Sequence, residues 1–184
     1  MAKITLVTGG CRSGKSSFAE KLMIQLPGPH LYVATAPNID GEMSLRIRKH
    51  RQRREIFSWE TLEEERDLSK AIVMGDGSSV LVECLTLWVN NLIYYSQQSG
   101  DVIDEDRMAR RCNELVELAD RNEGHVIFVT NETGLGIMPE NPTARLFGDL
   151  AGRCNQIIAD AAEEVYMMVS GIPVKIKGDD NGKS

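Results

Sequence analysis

An apolar run, Ile4-Thr5-Leu6-Val7-Thr8, leads without a break into Gly9-Gly10-Cys11-Arg12-Ser13-Gly14-Lys15-Ser16. No other feature restricts the fold of this chain as strongly. The spacing G-x-x-x-x-G-K-[ST] needs a strand before it and a helix after it. Its glycines let the backbone curl until successive N–H groups point at phosphate oxygens, and the helix start adds its positive end. The apolar stripe Phe18, Leu22, Met23 and Leu26 supplies that helix. Lys15 is then expected to reach the β- and γ-phosphates of a triphosphate, and the Ser16 hydroxyl to bind Mg²⁺. Gly9, Gly10, Cys11, Arg12, Ser13 and Gly14 complete the nucleotide-binding loop, with Cys11 read as a small filler rather than a reactive thiol.

The rest of the chain fits one sheet. Branched apolar runs at Ile4–Thr8, Leu31–Thr35, Ser79–Glu83, His125–Thr130 and Val165–Ser170, with Val174–Lys177 as a sixth, alternate with helical patterns. Such alternation predicts a mostly parallel central sheet covered on both faces, an α/β three-layer fold of the P-loop NTPase type. Met108, Cys112, Leu115 and Ala119 mark a second helix. A third begins at Asn141-Pro142 and buries Leu150, Cys154, Ile157 and Ala161. With no repeat or linker in 184 residues, 1–177 read as one nucleotide-binding domain and 178–184 as a polar tail.

Composition removes other classes. Against 27 acidic residues stand 21 Lys and Arg, a net charge of −6, which weighs against a nucleic-acid partner. No run of about 20 apolar residues could span a bilayer, and the N-terminal run is too short for a signal peptide. Cys11, Cys84, Cys112 and Cys154 lie far apart, with no CxxC pair, so the expectation is a reduced cytoplasmic protein without a structural zinc site.

Charge is nevertheless concentrated. Between Arg46 and Arg54, six of nine residues are basic (Arg46, Arg48, Lys49, Arg51, Arg53, Arg54), with His50 at the centre. On a helix, Arg46, His50 and Arg53 or Arg54 share a face. Two readings stand: a solvated basic helix paired with Glu63-Glu64-Glu65, or a segment that meets triphosphate. In the second, the surrounding cations disfavour imidazolium and leave His50 neutral and nucleophilic. Glu83, at a strand end, is either a carboxylate facing solvent or the acidic group that orients the metal alongside Ser16. His30 and His125 read as structural, Trp59 and Trp88 as packing, and Arg145, Asp149 and Arg153 as an i, i+4 salt-bridge ladder. The loop Asn131–Asn141 is either ligand-facing or a long turn.

These pieces together resemble a specific family, the bifunctional adenosylcobinamide kinase / adenosylcobinamide-phosphate guanylyltransferase. The resemblance is carried by Thr8–Ser16, Ala34-Thr35-Ala36, Glu42-Met43 with Arg46-Ile47 and His50, Trp59-Glu60-Thr61, and Glu83-Cys84-Leu85-Thr86-Leu87-Trp88. Val129-Thr130-Asn131-Glu132 with Gly134, Gly136 and Pro139-Glu140-Asn141, and Val169-Ser170-Gly171-Ile172-Pro173, complete it. It implies an enzyme that phosphorylates adenosylcobinamide with ATP or GTP and then transfers GMP from GTP through a guanylylated histidine, at the position of His50. It further implies that Ala34, Thr35 and Ala36 line the nucleotide, that Arg51, Gln52, Arg53 and Arg54 flank it, that Glu63 and Glu83 complete nucleotide or Mg²⁺ binding, and that the protein is a homotrimer. Cys11 departs from the alanine common there. Two other readings remain: a monofunctional small-molecule kinase with the basic helix as a lid, and a GTP-dependent binding switch. The switch would lack the guanine-reading Asn-Lys-x-Asp run, which is absent from this sequence.

Overall fold

The computed structural model describes residues 4–37 and 57–178. The basic segment with His50, Arg51, Gln52, Arg53 and Arg54, and the polar tail from Asp179 onward, lie outside the described residues.

Among the described residues, seven strands form one sheet in the order β3-β2-β4-β5-β1-β6-β7. They are β1 Ile4–Gly9, β2 His30–Ala34, β3 Glu60–Glu63, β4 Ser79–Val82, β5 Val126–Val129, β6 Glu164–Val169 and β7 Ile172–Lys177. The first six run parallel. β7 alone turns back, pairing antiparallel with β6 through a two-residue loop. Both loop residues, Ser170 (φ 52°) and Gly171 (φ 87°), adopt positive φ, as a tight hairpin matched to strand twist requires. The central strands β1, β4 and β5 are buried at every position, which is why their sequences read as unbroken apolar runs rather than alternating ones.

Five helices are described: α1 Lys15–Gln25, α2 Leu68–Met74, α3 Leu85–Ser99, α4 Glu105–Arg121 and α5 Pro142–Ala161. α1 covers one face, where Ala19 and Met23 pack with Val7, Tyr32, Leu81, Ile127, Val129 and Met168. The other face carries the larger core, built from Leu6, Val33, Val80, Val82 and Phe128 under α2 to α5. In α4, Met108, Cys112, Leu115 and Ala119 are all fully buried, as their spacing predicts. Asn141 caps α5 by accepting from the N–H groups of Thr143 and Ala144, with Pro142 in its first turn.

Several expectations need correction. In α5 the buried stripe is Leu150, Ala151, Cys154 and Ile158, while Ile157 and Ala161 lie half-buried at its margin. The fully buried line follows the i+4 row Leu150, Cys154 and Ile158, and Ile157 and Ala161 pack against the same core from beside it. Arg145 does not build an i, i+4 ladder. Its guanidinium donates to the carbonyls of Pro139 and Glu140, because the residues before a helix start leave acceptors within reach. Cys11 is not packing filler but exposed, and Cys84 is half-buried; only Cys112 and Cys154 are core residues.

Candidate functional site

The site is built at the carboxyl ends of β1, β2, β4 and β5, where loops of an open parallel sheet converge. β1 ends at Gly9, and the chain turns through Gly10–Gly14 into α1. Two glycines there are required by contact and backbone. Gly9 has φ 143°, and a Cβ on it would sit 2.6 Å from the Met168 carbonyl. Gly14 has φ 97°, and its Cβ would meet Gly171 Cα at 3.3 Å. The loop is closed internally by the Ser13 N–H on Gly10 O (3.3 Å) and held from behind by the Gly171 N–H on Ser13 O (2.9 Å). The β6–β7 turn is thus its backing. Arg12, at φ 56°, is a non-glycine residue in left-handed backbone, consistent with a loop whose curvature is over-determined by its surroundings.

Lys15 is only 8% exposed and donates to Gly10 O at 2.6 Å. Burial holds its ammonium below the ordinary lysine range, partly opposed by the nearby Cys84 and Cys11. A cation kept in so poorly solvated a place is stabilised by an incoming polyanion. Among the described residues, the Ser13 hydroxyl in this loop and the Thr8 hydroxyl just before it are buried with no hydrogen-bond partner. Each such group costs about 1–3 kcal/mol until something pairs it.

Beside the loop stand the ends of β2, β3 and β4. Ala34 pairs in register with Glu63, and the Glu64 N–H bonds Ala34 O. The Glu83 N–H continues the ladder onto Val33 O. Leu81 points into the α1-side core and Val82 into the other, so alternation puts Glu83 on the α1 side, with Ser16. Thr35 is fully buried and donates its hydroxyl to Cys84 O, and Asn91 on α3 spends its amide on the carbonyls of Thr35 and Glu65. Burial pushes the Cys84 thiol up, so it is a thiol and not a thiolate next to Lys15.

A second polar cluster lies behind β5. The Asn131 N–H donates to Thr86 Oγ1 (2.7 Å), Thr86 and Thr130 share a hydroxyl bond (3.1 Å), Thr130 donates to Asn155 Oδ1 (2.8 Å), and Asn155 Nδ2 donates to Asn131 O (3.2 Å). The Thr130 proton is committed to Asn155, so Thr86 must be the donor between the two hydroxyls. The ring therefore closes in one sense only. It fixes Asn131, and the Glu132 N–H that follows bonds Gly9 O at 3.0 Å. Asn155→Asp keeps the acceptor for Thr130 but sets an oxygen against the Asn131 carbonyl. Urea unfolding is expected to show a loss of about 1–3 kcal/mol; a variant as stable as the parent would mean the ring contributes nothing.

The structure thus brings together Gly9–Ser16, Ala34–Ala36, Glu83 and, exposed at the margin, Glu63. His30 is structural, with Nε2 3.1 Å from Leu26 O and its ring against Trp59; the Trp88 indole is buried and donates to Arg66 O. Sequence reasoning missed Thr86, Asn91, Thr130 and Asn155 as site builders. Their signal is polar side chains at positions that an apolar helix or strand end would bury.

A model of the cobinamide kinase / cobinamide phosphate guanyltransferase family matches residues 5–176. An Escherichia coli protein named bifunctional adenosylcobalamin biosynthesis protein CobU is 44% identical over 180 residues, which cover 94% of this chain and 98% of that one. The Salmonella typhimurium protein of the same name is 42% identical over 94% of this chain and 98% of its own. A Pseudomonas aeruginosa relative named CobP, also described as bifunctional, is 39% identical over 95% and 97%. Among solved structures, a KaiC-like protein from Pyrococcus horikoshii matches with a TM-score of 0.58 at 14% identity, over 97% of this chain and 80% of that one. That likeness concerns the fold alone, the three-layer α/β arrangement of P-loop NTPases. Matched along nearly its whole length, the chain belongs to the cobinamide kinase / cobinamide phosphate guanyltransferase family.

Proposed function

We propose that residues 1–177 form one domain that runs both transfers of this family: phosphorylation of adenosylcobinamide by ATP or GTP, then transfer of GMP from GTP to the product. The observation that carries this reading is the closed phosphate loop, with buried Lys15 and the unpaired Ser13 hydroxyl at its centre, in a chain matched to the family from residue 5 to 176.

In the first transfer the acceptor hydroxyl oxygen attacks the γ-phosphorus, its proton passes to solvent, the bond to the β–γ bridging oxygen breaks, and the nucleoside diphosphate leaves. Backbone N–H groups of Gly9–Gly14 and the Lys15 ammonium hold the phosphates in line and take up developing charge. In the second, a ring nitrogen of His50 attacks the α-phosphorus of GTP and pyrophosphate leaves with the bridging oxygen. A phosphate oxygen of the corrinoid then displaces the imidazole, which returns neutral. Arg51, Gln52, Arg53 and Arg54 flank that nucleotide, and Ala34, Thr35, Ala36 and Glu63 line it. Ser16 and Glu83 offer the hydroxyl and carboxylate oxygens that a hard cation prefers, so they would hold Mg²⁺, which when bound offsets phosphate charge. The family resemblance supports a homotrimer. An acidic chain in which no helix of the described residues could cross a membrane suits a cytoplasmic enzyme without nucleic-acid or membrane partners.

A paired assay tests the reading. Adenosylcobinamide with γ-labelled ATP or GTP is expected to become labelled, and its phosphate with α-labelled GTP likewise. Labelling in the first arm alone would indicate a monofunctional kinase. Tight nucleotide binding with neither transfer would indicate a binding switch.

A further inference from the structure

Three large apolar side chains project from one short loop: Leu135 is 77% exposed, Ile137 98% and Met138 69%. Single exposed apolar residues are ordinary, but three within four positions make a patch that calls for a partner. The loop that presents them is tied at both ends. At its start the Glu132 N–H bonds Gly9 O at 3.0 Å, and the Glu132 carboxylate accepts from the Gly134 N–H at 3.2 Å. At its end the Arg145 guanidinium donates to Pro139 O and Glu140 O, at 3.1 and 2.5 Å, and Asn141 caps α5. Behind the start lies the ring of Thr86, Thr130, Asn131 and Asn155.

We propose that the segment from Glu132 to Glu140 is the lip that receives the corrinoid acceptor, with Leu135, Ile137 and Met138 against the apolar flank of its macrocycle. The inference rests on the functional reading above and extends it to a binding element. The occupant follows from position and chemistry. The front anchor is Gly9, the first residue of the phosphate loop, so the lip begins beside the residues that would hold the triphosphate. The nucleotide is polar, and Gly9–Ser16 already accounts for its phosphates. The acceptor is the substrate with broad apolar surface to bury, and its hydroxyl must come to the γ-phosphate for transfer to occur. A pinned lip also keeps that contact in one orientation relative to the reacting centre, which is what productive attack requires.

The test is steady-state γ-phosphate transfer to adenosylcobinamide by wild type and by the triple variant Leu135→Ser/Ile137→Ser/Met138→Ser. The acceptor KM is expected to rise roughly tenfold or more as apolar contact is lost. The nucleotide KM should stay within about twofold, and the conservative set Leu135→Met/Ile137→Leu/Met138→Leu should restore the acceptor KM. An unchanged acceptor KM in the triple variant, while wild type transfers normally, overturns the lip and leaves the functional reading intact. Wild type that transfers nothing removes both. A triple variant with altered sedimentation mass but unchanged acceptor KM places a second copy of the chain on the lip and likewise overturns the proposal. Should the triple variant unfold, Ile137→Ser alone carries the test, since that side chain packs against almost nothing.

Discussion

His50→Ala is expected to abolish the covalent GMP adduct and lower guanylyl transfer by roughly 10⁴-fold or more, with phosphoryl transfer to adenosylcobinamide changed less than about threefold. The asymmetry follows from the two chemistries. Transfer of a γ-phosphoryl group needs positioning and charge neutralisation, which the loop after β1 provides without a protein nucleophile. Passage of GMP through the protein needs a side chain that bonds phosphorus and later leaves. A phosphoramidate formed at the proposed nucleophile His50 is expected to be acid-labile and base-stable. Incubation with α-labelled GTP and Mg²⁺, followed by acid or base, reads this directly. Equal labelling of His50→Ala would remove His50 from the mechanism.

The second large effect is on Lys15. Lys15→Met should lower γ-phosphate transfer by roughly 10²–10³-fold, since it deletes the buried ammonium proposed to meet the phosphates in a poorly solvated site. Stability should move differently. The ammonium is buried and satisfied by one carbonyl, so replacing it by an apolar chain of similar length costs little in the nucleotide-free protein. The pH dependence separates the two further. Because burial lowers this pKa in the folded state, the native protein binds fewer protons than the unfolded one between the lowered value and the ordinary 10.5. Stability of the nucleotide-free parent therefore rises with pH across that window, and Lys15→Met should flatten the rise. A variant that keeps full transfer would show that Lys15 does not reach the phosphates.

What the sequence made legible follows burial. β1, β4 and β5 are buried on both faces, so their apolar runs stand out, and α4 and α5 carry clear stripes and caps. β3 escaped because it is a four-residue edge strand with no fully buried position. α2 escaped because it is seven residues long. α3 escaped for a different reason: buried Thr86 and Asn91 interrupt its apolar pattern, and Cys84 gives it no side-chain cap. Those same polar residues build the site. The phosphate loop was readable because a local spacing encodes it. The ring of Thr86, Thr130, Asn131 and Asn155 was not, because it joins residues up to 69 positions apart whose meeting depends on the sheet order.

The turn between β6 and β7 closes on Gly9, Ser13 and Gly14 across most of the length of the chain. A ribosome releases these partners far apart in time. Residues 9–16 emerge well before Met168 and Gly171. Until both have emerged, the loop lacks the hydrogen bond and the close contacts that hold it from behind. A chain truncated before the final hairpin is therefore expected to carry the motif without the backing that Met168 and Gly171 give it.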